Sequence, residues 1–170
     1  MENGIYIVYE DGSYAPFDGK NPEENAAFIG VACNGHTFGV GRKVGCYPLL
    51  PRYDIPKDEF CQKEYQALFD WDFVKHTEHL KELGSEVPLK EGEYIPTAAV
   101  FVAIANLADK GLNKALVCIG LDPIDLNDDY WFAQRYVSTH AWFFYGDNGT
   151  LDYNYCTYEH TVQAVVLWNP

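Results

Sequence analysis

The chain has 170 residues, a net charge of −13 and a hydrophobic fraction of 48%, which predicts one acidic globular domain over residues 1–170 with its own core. A chain with this much negative charge repels the phosphate backbone of nucleic acids, so nucleic-acid binding is not expected. No apolar run approaches the ~20 residues of a membrane-spanning helix, so membrane insertion is not expected either.

The first half of the chain begins with two predicted hairpins. GIYIVY and SYAPF flank Asp11-Gly12, and AAFIGVAC and HTFGVGR flank Asn34-Gly35. Asp-Gly and Asn-Gly supply the positive φ angles that a tight turn needs. Three prolines then predict an irregular segment over residues 45–60.

Two helices are predicted next. The spacing of apolar residues predicts a first helix from about Asp70 to Leu83, followed by a glycine in the position of a C-terminal cap. The second helix starts after Thr97, a plausible N-cap, is apolar on most sides and ends at Gly111. A shorter helical piece, LNKALVCIG, follows.

The last third of the chain returns to strands. WFFY and TLDYNY flank Asp147-Asn148-Gly149, which is a strong hairpin signal, and HTVQAVVLW predicts the final strand. The order of strands, two helices and strands predicts an α+β fold, in which two helices pack on antiparallel β-hairpins.

The window of residues 127–160 has an unusual composition. It contains six of the thirteen tyrosines, among many Asn, Ser, Thr, Asp and His side chains. Tyrosine offers a large flat surface with a polar tip and few rotatable bonds, so it binds at low entropic cost. The composition therefore favours a recognition surface. The alternative is a hairpin with one solvated face, in which Tyr and Thr serve only their preference for strands.

The stretch YWFAQRYVSTHAWFFYGDNGTLDYNYCTYEHTVQAVV resembles the end of a bacterial and phage domain family that includes the Fibrobacter major paralogous domain. The matching elements are Tyr130-Trp131, Ala141-Trp142, Phe144, Asn148-Gly149, Leu151 and Val162-Gln163-Ala164-Val165. Upstream, YIPTAAVFVAIANLADKGLNKAL and GIYIVYEDGSY…NAAFIGVACNGHTFGVG are similar to earlier elements of that family, in the same order.

The resemblance implies a C-type-lectin-like fold and a scaffold that displays a ligand-binding surface. In some related domains a reverse-transcription system diversifies the C-terminal residues toward Asn, Tyr, Asp, Ser and Thr, and the tyrosine-rich window here is similar to such a region. It also implies that Trp142 and Phe144 point to the core while Phe143 and Tyr145 point outward. The candidate contact residues are Tyr136, His140, Phe143, Tyr145, Tyr153, Tyr155 and Tyr158.

We therefore expect a non-enzymatic domain of a phage tail or bacterial surface that recognises a cell-surface glycan or protein, and that can form a homo-oligomer. Its expected location is a virion or the cell surface, although the start MENGIYIVYEDG lacks the features of a signal peptide. The alternative is a structural or assembly module of a virion or adhesin, whose tyrosines pack against neighbouring subunits.

No cofactor is expected, and calcium is the one that merits a test. The stretch DPIDLNDD clusters oxygen ligands, but it lacks the glycine of an EF-hand and the sugar-binding tripeptide of C-type lectins. An acidic loop is therefore the expected interpretation. The clustered residues are Asp122, Asp125, Asn127, Asp128 and Asp129.

The spacing of the cysteines and histidines does not favour a metal or catalytic site. The five cysteines include no CxxC pair, so buried free thiols are expected, with a Cys33–Cys46 disulfide left open. A thiol enzyme would pair Cys156 with His140 or His160, but no cationic residue in the surrounding sequence would activate the thiol. The helical pair His76 and His79 is spaced three apart, which predicts solvated surface rather than a zinc site.

Overall fold

The computed structural model describes residues 1–22 and 25–170, which form one mixed sheet of nine strands and four α-helices. The strands are β1 (Gly4–Tyr9), β2 (Tyr14–Pro16), β3 (Ala26–Cys33), β4 (His36–Pro48), β5 (Glu93–Tyr94), β6 (Tyr130–Arg135), β7 (His140–Tyr145), β8 (Thr150–Tyr155) and β9 (Glu159–Val166). The helices are α1 (Glu64–Ala67), α2 (Phe73–Glu82), α3 (Ala98–Leu107) and α4 (Asn113–Cys118). A π-helical turn at Ala108–Leu112 joins α3 to α4.

The sheet is continuous across the molecule. Its strand order is β2-β1-β3-β4-β9-β6-β7-β8, and β5 also pairs with β9. β9 runs antiparallel to β4 and parallel to β6, so it joins the N-terminal and C-terminal hairpins into one sheet. The predicted C-type-lectin-like fold, with two helices packed on antiparallel β-hairpins, is therefore wrong. The sequence indicated the hairpins, but not the pairing of the last strand between them.

The local signals in the sequence are confirmed. Each predicted hairpin forms, as the pairs β1–β2, β3–β4 and β7–β8. Asn34 and Gly35 both have positive φ, as the turn between β3 and β4 requires. Thr97 caps α3 by accepting a hydrogen bond from the amide of Val100. Asp72 caps α2 in the same way through the amide of Lys75.

The segment predicted to be irregular is partly strand, because β4 continues to Pro48. β6 also lacked a sequence signal, since all six of its residues are buried and polar residues do not alternate along it. Tyr130 and Phe132 face the core cluster that contains α3, whereas Trp131 and Ala133 face a second cluster. A strand that is buried on both faces shows no period of two in its hydrophobicity.

Core packing covers both faces of β6, β7 and β9, whereas β8 is largely exposed. On one face Val100, Phe101 and Ile104 of α3 pack against the sheet. On the other face Leu49 and Leu50 belong to a cluster with strand residues. The face that the resemblance left open to solvent is thus covered by the segment that follows β4. Within residues 1–22 and 25–170, no helix is both long enough and apolar enough to span a membrane.

Candidate functional site

Aromatic side chains from β7, β8 and three loops form one continuous surface. The register places His140 opposite Tyr155 and Trp142 opposite Tyr153, and opposite residues of an antiparallel pair share a face. Tyr136 stacks on Tyr153 with ring centroids 4.4 Å apart. We call this set the aromatic face, and it consists of Tyr53, Tyr136, His140, Trp142, Tyr153, Tyr155 and Tyr158.

The outer rings of the aromatic face are open to solvent. Tyr153 is 47% exposed, Tyr155 41% and Tyr158 51%. Beneath them Trp142 is buried, and the His140 ring lies 4.1 Å from that of Tyr155. Burial lowers the pKa of His140 below its ordinary value of 6.5, so this imidazole is uncharged at neutral pH. The surface therefore offers ring faces and hydroxyl groups without a charge of its own.

A groove of about 470 Å³ opens beside Tyr136, Trp142 and Tyr153. Such a volume lies within the range of small-ligand sites. The indole N–H of Trp142 donates a 2.8 Å hydrogen bond to the carbonyl of Gln62, which ties the opposite wall to the aromatic face. Polar residues make up that wall, and they are Lys57, Gln62, Lys63, Glu64 and Gln66.

Asp58 holds the wall of the groove in place. Its carboxylate pairs with the buried guanidinium of Arg135 on β6 and lies 3.0 Å from Nε2 of His79 on α2. Burial alone would raise the pKa of Asp58, but the hydrogen bond from His79 and the charge of Arg135 hold it below 3.8. Phe60 stacks on the His79 ring at 3.7 Å. The loop before α1 is thus attached to both the sheet and α2.

The prediction that His76 and His79 are solvated surface is wrong. His76 is 3% exposed and lies 2.8 Å from a carboxylate oxygen of Asp70. His79 is mostly covered and contacts Asp58. The spacing of three places both imidazoles on one side of α2, and that side faces the loop rather than water.

The structure brings together five of the seven predicted contact residues. These are Tyr136, His140, Tyr153, Tyr155 and Tyr158. The prediction that Phe143 points outward as a contact residue is wrong. Its side chain is 5% exposed and stacks on His160 with ring centroids 4.5 Å apart. Tyr145 lies on the same side of β7 as Phe143, away from the aromatic face. Its hydroxyl donates to Asp147 at 2.8 Å, and this bond raises its pKa.

Sequence reasoning missed Tyr53 and the wall of the groove. The Tyr53 ring lies 5.8 Å from that of Tyr155, although the two residues are far apart in the chain. Lys57 and Lys63 flank the loop that Asp58 anchors. The proline-rich composition indicated a loop here, but no local pattern states which part of the sheet a loop covers.

The predicted oxygen cluster does not form a metal centre in the structure. Across residues 1–22 and 25–170, no three His, Cys, Asp or Glu side chains are arranged to hold a metal ion. Asp128 pairs with Lys43 at 2.5 Å, and Asp125 accepts from the amide of Asn127. Asp129 accepts from the amide of Gly146 at 2.8 Å. These carboxylates therefore serve local structure.

Cys33 and Cys156 are not activated thiols, because burial raises the pKa of both. All five cysteines are free, so Cys33 and Cys46 form no disulfide. Cys156 is buried as expected, whereas Cys33, Cys61 and Cys118 are only partly buried and Cys46 is exposed. Burial raises the pKa of Cys156 to about 12, which is the opposite of the shift that a nucleophilic cysteine needs. Burial also lowers the pKa of His160, and this ring packs against Trp131 and Phe143.

Comparison with known proteins bears on the fold. No protein-family model matches the sequence, and no curated protein matches it. The structure is similar to that of a fimbrial protein from Bacteroides ovatus, with a TM-score of 0.59 and 12% sequence identity. The two proteins share a fold. The similarity covers 97% of this chain and 48% of the fimbrial protein, so the chain spans about half of that protein's length.

Proposed function

We propose that the chain is a display domain of a cell-surface structure and that it recognises a glycan or protein ligand through the aromatic face. The observation that carries the proposal is the continuity of the exposed rings of Tyr153, Tyr155 and Tyr158 beside a groove. Large apolar surfaces that remain exposed and carry polar rims are typical of interaction sites. The name of the fimbrial protein supports the surface location.

The aromatic face has the rigidity that favours binding. Tyr136 and Tyr153 stack on each other, and both pack edge-on against the buried Trp142. Their rotamers are therefore largely fixed before a ligand arrives, which lowers the entropic cost of association. Their hydroxyl groups add hydrogen bonding at the rim. Such a surface suits a sugar ring, whose C–H groups stack on aromatic faces, or an exposed peptide segment.

Binding to cells tests the proposal. A multimerised fluorescent form of the domain is incubated with a panel of bacterial and animal cells, with and without calcium. We expect selective binding that does not depend on calcium and that weakens at least about tenfold in a triple Tyr153→Ala, Tyr155→Ala, Tyr158→Ala variant, because each stacked ring contributes about 1 kcal/mol.

Phe69→Ala is the matched control. Phe69 is 80% exposed and lies outside the aromatic face, so this variant loses an exposed ring elsewhere and should bind like the wild type. Circular dichroism confirms that both variants are folded. If the triple variant binds every cell type as tightly as the wild type, the aromatic face is not the recognition surface.

The second candidate is an assembly module whose aromatic face packs against a neighbouring subunit. The fimbrial name of the similar structure favours it, since a fimbrial protein belongs to an assembled fibre. Sedimentation velocity separates the two functions. A stable oligomer in which Tyr153 and Tyr155 become protected from tyrosine modification would favour assembly. A monomer with accessible tyrosines would favour recognition.

A further inference from the structure

The groove carries positive charge in a strongly acidic protein. The whole chain has 12 Lys and Arg against 25 Asp and Glu. Lys57 and Lys63 both line the groove, and among its lining residues in the described chain only Glu64 is acidic. The net charge of the residues that line the groove is therefore positive, whereas the net charge of the whole chain is negative.

Both lysines are free to bind a ligand. Within residues 1–22 and 25–170, neither Lys57 nor Lys63 lies within ion-pair distance of a carboxylate. Glu64 is the one carboxylate among the lining residues of the described chain, and two further carboxylates that adjoin or bond to lining residues already have partners. Asp58 is held by Arg135 and His79, and Asp70 by His76 and Gln62. An anion that enters the groove would therefore meet two uncommitted ammonium groups.

Aromatic rings form the other wall of the same groove. Tyr136, Trp142 and Tyr153 line it, and the first and last of these stack on each other at 4.4 Å. A ligand that fits both walls has a flat apolar face on one side and an anionic group on the other. A sugar with a carboxylate or a sulfate ester has that chemistry.

We propose that the groove binds one anionic sugar residue of an otherwise neutral glycan. Its ring would stack on Tyr153 and its carboxylate or sulfate would lie between Lys57 and Lys63. The inference rests on the proposed function, of which it names the ligand class. The net charge of −13 disfavours a continuous polyanion, because such a chain would extend past the groove over acidic surface. A single anion is screened from distant charges beyond ~8 Å at physiological salt.

A glycan array tests the inference directly. The multimerised domain is applied to matched glycans that share a neutral core and end in a neutral, a carboxylated or a sulfated sugar, with polygalacturonate as the continuous polyanion. We expect binding to carboxylated or sulfated ends, weaker binding to polygalacturonate, and none to neutral ends. The carboxylated and sulfated arms identify which anion the lysines accept. Raising NaCl from about 0.05 M to about 0.5 M should weaken the binding.

Charge-matched variants assign the effect to the groove. A double Lys57→Gln, Lys63→Gln variant should lose at least about tenfold in binding to the anionic glycans. A double Lys90→Gln, Lys110→Gln variant changes the net charge equally at exposed positions outside the groove and should bind normally. Equal loss in both variants would mean that only overall charge matters, and it would overturn the inference.

The inference and the proposed function can fail separately. Binding to neutral glycans alone, or to none of the glycans, would overturn the inference. If the triple tyrosine variant still loses cell binding in that case, the proposed function stands with a different ligand. If the tyrosine variant binds cells normally, the proposed function itself is wrong.

Discussion

Burial determines the chemistry of Cys156 and His160, which pack with Phe143 on the side of β7 that faces away from the aromatic face. Cys156 is fully buried, and the loss of hydration penalises its thiolate, which raises the pKa to about 12. The nearby charge of Arg135 lowers the pKa but does not offset this effect. His160 stays neutral for the same reason. These two residues are packing elements, and a thiol-based reaction would need the opposite electrostatics.

Alkylation tests whether burial protects the Cys156 thiol, with the exposed Cys46 thiol as the reference. We expect Cys46, which is exposed, to react with iodoacetamide at pH 8 while Cys156 stays unmodified in the folded protein. Peptide mass spectrometry follows both sites in one sample, and a denatured sample shows that Cys156 is intrinsically reactive. Rapid modification of Cys156 in the folded state would contradict the burial argument and revive the thiol enzyme as an alternative.

At the scale of elements, the loop between β4 and α1 depends on one carboxylate. Asp58 pairs with Arg135, whose side chain is 1% exposed, and also contacts His79. Removing one partner of a buried ion pair leaves the other charge without compensation. The loop that carries Tyr53 and Lys57 to the site is thus fixed by the fold, rather than by its own sequence.

Replacing Asp58 should therefore be costly. We expect Asp58→Ala to lower the free energy of unfolding by about 3 kcal/mol, because the Arg135 charge stays buried. Asp54→Ala is the control, since Asp54 pairs with Arg52 at an exposed position, and it should cost less than about 1 kcal/mol. Urea denaturation measures both. Similar losses in the two variants would show that the Asp58 network does not anchor the loop.

The contribution of Asp58 to the stability of the protein should decrease at acidic pH. The pKa of Asp58 is lowered from 3.8 in the folded protein, so its contribution to stability is complete above about pH 3.8 and is lost as the pH falls below it. The difference in stability between the wild type and Asp58→Ala should thus shrink below pH 3.8. A difference that stays constant across this window would exclude the carboxylate charge as its source.

The sequence predicted those elements whose signals are local. Turn residues such as Asn34 and Gly35, and caps such as Thr97, depend on a few neighbouring residues, so the hairpins and the two main helices were predictable. β6 was not predictable, because burial on both faces removes the alternation that marks a strand. The residues of the site likewise divide into those that local spacing predicts and those that it does not. Tyr153 and Tyr155 share a face by their spacing in β8, whereas Lys57 and Tyr53 reach the site through tertiary contacts alone.

At the scale of the whole molecule, a sheet of nine strands must protect two edges. At one edge, β2 is three residues long and ends with Pro16, which cannot donate a backbone hydrogen bond. At the other edge, β8 is longer and exposed. The amide of Cys156 donates to the carbonyl of Thr139. Since amides alternate along a strand, those of Tyr153 and Tyr155 point away from β7.

Side chains of β8 cap these outward amides. The Tyr153 amide donates to the carboxylate of Asp152 at 2.8 Å, and the Tyr155 amide donates to the side-chain oxygen of Asn154 at 2.8 Å. A second strand would have to displace both bonds before it could pair with this edge. β8 therefore presents its tyrosine side chains to a ligand while the outward amides of both tyrosines are capped. This fits recognition through side chains better than extension of the sheet by another chain.

Removing the caps tests this view of the edge. We expect a double Asp152→Ala, Asn154→Ala variant to self-associate with increasing concentration in sedimentation velocity, because two unpaired amides become available on an exposed edge strand. Asp147→Ala removes the same negative charge from the adjacent turn without uncovering an edge amide, so it should sediment like the wild type. If the double variant remains as dispersed as Asp147→Ala, the side-chain caps do not protect the edge. The absence of sheet extension would then require another cause, such as the twist of β8.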